Sequence, residues 1–192
     1  MAQRGEIVLV RHGETEWSRA GKHTGRTDIP LTSGGRDQAR QLGGALRNRR
    51  FALVLTSPLR RASETCRLAG LGDAAEECSD LREWDYGDYE GRTTADIRTE
   101  VDGWTIWTHE VPGGETAAKI ARRADRVVDL VRTVDGDVAL FGHGHILRVL
   151  AARWCGLDAV CGRFLALDTG TLSILGYERE SPVIRLWNRI RE

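Results

Sequence analysis

Residues 138–155 read VALFGHGHILRVLAARWC. The apolar run Val138–Phe141 gives way to Gly142-His143-Gly144-His145 and then to a helical stretch near Ile146–Cys155. The order is strand, polar turn, helix. It recurs upstream. Ile7–Val10 is a β-rich run that ends at Arg11, ahead of His12-Gly13. Phe51–Thr56 is followed by Ser57-Pro58, a cap and first-turn pair for a helix through about Ala69. Thr32 reads as the N-cap of a helix carrying Ala39, Leu42 and Leu46 on its apolar stripe. The clearest helix is Glu115–Val134, where Ile120, Ala121, Ala124, Val127, Val128 and Val131 share one face at a 3.6-residue period. Leu172–Tyr177 and Val183–Trp187 read as two late strands, joined through Glu178–Pro182 as a hairpin at a sheet edge. This alternation predicts an α/β domain with a mostly parallel sheet and right-handed crossovers. Residues 79–114 are irregular and aromatic, with Trp84, Tyr86, Tyr89, Trp104 and Trp107, and are expected to cover one edge of the sheet. Those rings suit a packed lid core better than a stacking platform.

Length and composition fit one domain spanning residues 1–192, with 41% hydrophobic and 29% charged residues. Lys+Arg and Asp+Glu are both 28, so the net charge is zero and a nucleic-acid partner is not expected. Any anion site must be built locally. The N-terminal apolar run is too short for a signal peptide, and no later stretch is long enough to span a bilayer, so a cytoplasmic location is expected. Cys66, Cys78, Cys155 and Cys161 have neither zinc-site nor disulfide-framework spacing and read as scattered reduced thiols.

Ligands of open α/β sheets bind outside the carboxyl ends of the strands. Three such exits here deliver Arg11-His12-Gly13, Ser57-Pro58-Leu59-Arg60-Arg61 and Gly142-His143-Gly144-His145 to one edge. Two arginines and two histidines there make an anion site containing titratable groups. The neighbouring glycines allow close approach of backbone to ligand. A helix start disfavours cations, so the Arg60-Arg61 pair calls for a functional reason. His143 and His145 form an HxH pair, but no carboxylate stands at ligand spacing, and no metal is expected. His23 and His109 have no assigned role.

LVRHGETEW, SPLRRASET, LREWDYGDYEG, PGGET and FGHGHILR follow one another in this order. Together they resemble the histidine phosphatase superfamily, in its phosphoglycerate-mutase-like branch, over nearly the whole chain. The resemblance implies a single-domain α/β/α sandwich with an antiparallel edge. It implies His12 as nucleophile, Glu83 as proton donor, and His143 as a further catalytic contact to the phosphoryl group. It places Arg11 and Arg61 on the phosphoryl oxygens, with Ser18, Thr24 and Gly144 nearby. Ser18 stands where the family often has Asn. Glu115 is implied to orient Arg11 or His12, with Ser57 in a supporting role.

Chemistry agrees with these roles. Phosphoryl transfer spreads charge over three equatorial oxygens, which arginine and histidine donors can meet. Glu83, flanked by Trp84 and Tyr86, is expected to be a neutral acid that protonates the leaving alkoxide and then, ionised, activates water. The expected function is a metal-independent phosphatase, without cofactor, acting on a small phosphorylated metabolite. The alternatives are a mutase dependent on 2,3-bisphosphoglycerate, a silent phospho-ligand binding module, and a metal hydrolase using His12, His143 and His145. Homo-oligomer formation stays open.

Overall fold

A computed structural model describes residues 5–189. Its elements are β1 (Ile7–Arg11), α1 (Glu16–Arg19), α2 (Ser33–Leu46), β2 (Phe51–Thr56), α3 (Arg60–Leu68), β3 (Ala75–Glu77), α4 (Thr94–Arg98), α5 (Ala117–Arg132), β4 (Asp137–Gly142), α6 (Gly144–Trp154), β5 (Leu172–Glu178) and β6 (Ser181–Arg189). The sheet order is β3-β2-β4-β1-β5-β6. The first four of these strands are mutually parallel, and β5 and β6 form the antiparallel edge.

Successive side chains of a strand face opposite ways, so a central strand must be apolar on both faces. In β1, Ile7 and Leu9 pack with α5 and α6 residues such as Val127, Val131 and Leu150. Val8 and Val10 pack with Leu42, Leu46 and Cys66 from α2 and α3. The result is the expected three-layer α/β/α sandwich. Thr32 caps α2 by accepting the Gly35 N–H, as the sequence predicts. Gly35 has a further reason to be glycine: a Cβ there would lie 2.1 Å from the Glu14 carbonyl oxygen. The start of α2 therefore rests backbone on backbone against the chain just after His12.

The structure corrects several boundaries. Leu59, not Ser57, occupies the N-cap of α3, and no side chain caps that helix. Helix α5 begins at Ala117, behind a Thr116 cap that accepts the Lys119 N–H, and ends at Arg132. Helix α6 begins at Gly144, earlier than predicted, with extended His143 as its N-cap. Strands β5 and β6 run to within two residues of each other, and Arg179 takes the turn at φ 55°. The short elements β3, α1 and α4 carry too little periodicity to be read from sequence. The aromatic segment packs inward: Trp84, Tyr86, Tyr89 and Trp104 are buried in the cluster shared with α5 and α6. All four cysteines are free, and no helix among the described residues is long and apolar enough to cross a membrane.

Candidate active site

The parallel strands β1, β2 and β4 end at one edge in nearly matched register: Arg11 opposite Gly142, and Thr56 opposite Phe141. Backbone bonds continue past the strand ends, from the Ser57 N–H to the Phe141 carbonyl and from the His12 N–H to the Gly142 carbonyl. His12, Ser57 and His143 are thereby placed side by side on the topological switch point of the sheet.

His12 is buried, and its Nδ1 lies 2.7 Å from the Gly13 carbonyl oxygen. A carbonyl can only accept, so Nδ1 carries the proton and Nε2 keeps the lone pair. Burial, followed by the charges of Arg61 and Arg11, holds His12 well below the ordinary histidine value. The imidazole is neutral and nucleophilic at Nε2.

His143 stands with its ring centroid 5.1 Å from that of His12. Arg61 Nε, which can only donate, reaches His143 Nδ1 at 3.1 Å. The His143 proton must therefore sit on Nε2, which donates to Ser57 Oγ at 2.8 Å. Burial and the Arg61 charge keep this ring neutral as well. Arg61 is fully buried. Besides His143 it donates to the carbonyls of Thr27, Thr24 and Gly25. Only one of its five N–H groups is left over, so it contributes to the site chiefly by its charge and by the loop it holds.

Arg11 donates from Nη1 to the Leu167 carbonyl, while its Nε is sealed from solvent and has no partner among the described residues. A buried unmatched donor is costly unless a ligand completes it. Gly144 separates Arg11 from Glu83: a Cβ at this position would lie 3.4 Å from Arg11 Cζ and 3.5 Å from Glu83 Oε2.

Glu83 accepts the backbone N–H groups of Trp84, His145 and Ile146. The last two belong to the first turn of α6, where the helix dipole favours an anion. Burial pushes this carboxyl up, but the backbone N–H groups that it accepts, that of His145 among them, outweigh it. Glu83 is left well below the usual carboxylate range. The sequence-based expectation of a neutral acid counted burial alone.

Three residues do other work than expected. The Ser18 hydroxyl closes a capping box on α1 with Thr15, accepting the Thr15 N–H at 2.9 Å and donating to the Thr15 carbonyl. The Thr24 hydroxyl donates to the Lys22 carbonyl, and only the Thr24 carbonyl meets Arg61. Glu115 touches neither Arg11 nor His12. It pairs with Arg123 through both oxygens, at 2.8 and 2.6 Å. Arg123 then donates to the carbonyls of Asp80, Arg82 and Glu83, pinning the chain that carries Glu83. Sequence reasoning missed Arg123, Tyr86 and the α6 backbone donors. It also missed Glu90, which accepts the Gly25 and Thr27 N–H groups and steadies the loop held by Arg61. Among the described residues no three His, Cys, Asp or Glu side chains gather at metal-binding spacing.

A cleft of about 780 Å³ opens at Glu83, between Gly25-Arg26, Pro58-Leu59, residues 79–85 and the start of α5. Glu83 is among its lining residues, whereas Arg11, His12 and His143 are not.

The model of the histidine phosphatase superfamily (branch 1) matches residues 7–190. The chain is 42% identical over 176 residues to an acid phosphatase of Mycobacterium tuberculosis, covering 90% of this chain and 86% of that one. It is 35% identical over 182 residues to sedoheptulose 1,7-bisphosphatase of Saccharomyces cerevisiae, covering 78% and 67%. The solved structure of a Mycobacterium tuberculosis open reading frame superposes with a TM-score of 0.93 at 38% identity, covering 98% of this chain and 99% of that one. A family match across the described strands and helices, joined to a switch point furnished with histidine, arginine and glutamate, leads to one assignment: the chain belongs to the histidine phosphatase superfamily, branch 1, and is a phosphoric monoester hydrolase.

Proposed function

We propose that this phosphatase hydrolyses a small phosphorylated metabolite through a phosphohistidine on His12, with Glu83 moving the proton and no metal taking part. The observation that carries the reading is the His12 tautomer. With Nδ1–H given to Gly13, Nε2 keeps its lone pair, and the charges of Arg61 and Arg11 both bear on the ring.

In the first step Nε2 attacks phosphorus and the P–O bond to the metabolite breaks. The leaving alkoxide takes a proton from Glu83. Glu83 acquires that proton as substrate binds, because a phosphate dianion a few ångströms away penalises a second negative charge. In the second step ionised Glu83 takes a proton from water, the hydroxide attacks phosphorus, and the P–N bond breaks to restore neutral His12. Arg11 and the Arg61 charge oppose the charge that develops on the phosphoryl oxygens. The cleft volume of about 780 Å³ suits a leaving group of metabolite size. An acid phosphatase and a sugar bisphosphatase among the relatives support the same substrate class.

The test is direct. Enzyme mixed with a phosphoryl-labelled ester and quenched should carry label on His12 that is lost in acid and kept in base. His12→Ala should lose both label and turnover, and wild-type turnover should survive excess chelator. A fully active His12→Ala protein, or activity abolished by chelation and restored by zinc, overturns the mechanism.

A further inference from the structure

His145 has no part in the steps above, yet its ring is buried beside them. Nδ1 lies 2.6 Å from the Tyr86 hydroxyl and 3.8 Å from Glu83 Oε2. Ring neighbours fix its plane: Trp107 at 5.1 Å, Tyr86 at 5.8 Å and Trp84 at 6.1 Å between centroids. The imidazole therefore chooses between two partners for one nitrogen, a phenol and the proposed catalytic carboxyl.

Tyr86 settles the choice. It is nearly fully buried, and burial, followed by the Glu83 charge, raises its phenol well above the ordinary value. Its O–H proton has no other acceptor among the described residues, so the hydroxyl donates to Nδ1 and the His145 proton sits on Nε2. The groups facing His145 are consistent with a neutral ring. Burial lowers its proton affinity, and Arg148 and Arg11 oppose a charge that Glu83 alone favours. His23, 6.3 Å away, is itself lowered by burial. Facing Glu83 are also His12, His143 and Arg61, each of which interacts with its charge. The downward pull of the His145 ring on Glu83 requires a proton on Nδ1. The Tyr86 hydroxyl denies it one.

We infer that Tyr86 and His145 are positioning residues for the reaction proposed above: by occupying His145 Nδ1, the Tyr86 hydroxyl stops the imidazole from donating to Glu83 and leaves that carboxyl able to take up and release the catalytic proton. The inference rests on Glu83 being the proton carrier. Without the hydroxyl, Nδ1 either binds a proton or turns its tautomer toward Oε2. Both outcomes stabilise ionised Glu83, so that it holds the catalytic proton only at lower pH.

The experiment is the pH dependence of kcat/KM for wild type, Tyr86→Phe and the double variant Tyr86→Phe/His145→Leu. It uses an alkyl phosphate, which needs a protonated leaving group, and 4-nitrophenyl phosphate, which does not. Tyr86→Phe should move the basic limb for the alkyl ester about 1–2 pH units toward acid, the size expected for a charge or donor some 4 Å from the carboxyl in a partly screened site. Nitrophenyl phosphate should lose less than about a tenth as much. His145→Leu on top of Tyr86→Phe should return the limb toward its wild-type position, which a merely structural pair would not do. An unmoved limb in Tyr86→Phe, or no recovery in the double variant, overturns the inference.

Glu83→Gln separates this failure from failure of the reading beneath it. Equal losses on both esters would remove Glu83 as proton carrier. Unequal losses with an unmoved Tyr86→Phe limb would leave Glu83 in place and reject the Tyr86–His145 role. Should a variant fail to fold, nitrogen-15 histidine spectra of the wild-type protein decide the matter. A neutral Nε2–H tautomer at His145 supports the inference, and an Nδ1–H tautomer or an imidazolium refutes it.

Discussion

Lowering the pH from 7 to 4.5 should remove several kcal/mol of stability through the histidines, before the carboxylates contribute. His12, His23, His143 and His145 are each held below the ordinary histidine value, with burial the leading cause in every case. His23 is lowered to about 4. Its ring lies 4.7 Å from Tyr86 and 5.4 Å from Trp104, and its Nε2 is 3.2 Å from Thr94 Oγ1. In the unfolded chain it titrates near 6.5. The sign follows from linkage. As pH falls below about 6.5 the unfolded chain binds protons that the native ring refuses, so stability present above that pH is lost down to about 4. At pH 4.5 His23 alone removes about 2 kcal/mol relative to pH 7. The three other rings act in the same direction. Glu83, whose native value is depressed, loses its contribution only below the unfolded carboxylate value of about 4.3, outside this window. Urea unfolding followed by tryptophan fluorescence between pH 7.5 and 4.5 measures the slope. His23→Phe keeps a ring in the slot and removes one titration, so its loss over the same range should be about 2 kcal/mol smaller. Wild-type stability flat between pH 7 and 5, or an unchanged slope in the variant, would refute the reasoning.

Two further outcomes are expected. Glu115→Ala strips the largely buried Arg123 of its carboxylate and should cost about 3 kcal/mol, while adding Arg123→Met should cost less than the sum of the two single changes. Additive urea-unfolding losses would mean that the pair does not act as a unit. In a mixture with 3-phosphoglycerate and catalytic 2,3-bisphosphoglycerate, free phosphate should appear faster than 2-phosphoglycerate, because the segment after Glu83 packs inward through Trp84, Tyr86 and Trp104 rather than closing over an intermediate. Rapid isomer exchange with negligible phosphate release would make the protein a mutase.

What the sequence discloses follows the range of the forces involved. The runs Ile7–Val10, Phe51–Thr56 and Val138–Phe141 are legible because a strand buried on both faces must be apolar throughout. Once those strands are parallel neighbours, their exits meet, and the proximity of His12, Ser57 and His143 needs no further information. The Thr32 cap is local and was equally readable. Ser18, Thr24 and Glu115 were assigned by resemblance of position, but their side chains answer to nearby partners: a capping box, a carbonyl two residues back, and Arg123 one face along α5. The Tyr86–His145–Glu83 cluster joins residues about sixty positions apart. Nothing in either segment announces that α6 will aim its first N–H groups at Glu83.

Arg61 shows why such a polar arrangement persists in a buried place. Desolvating a guanidinium costs several kcal/mol, and an apolar side chain of like volume often packs there more cheaply. Its four hydrogen bonds do not remove that cost, because three of them go to loop carbonyls that water would otherwise satisfy. What the guanidinium supplies is coupling. One face sets the His143 tautomer through Nε, and the other draws in the loop at Thr24, Gly25 and Thr27. Glu90 grips the same loop by its N–H groups, so the rim of the cleft and the imidazole next to His12 are held as one rigid unit. A lysine would keep the charge but lose the fork. The geometry of His143 and the shape of the cleft would then vary independently, so the demand for arginine at this position comes from positioning rather than from stability.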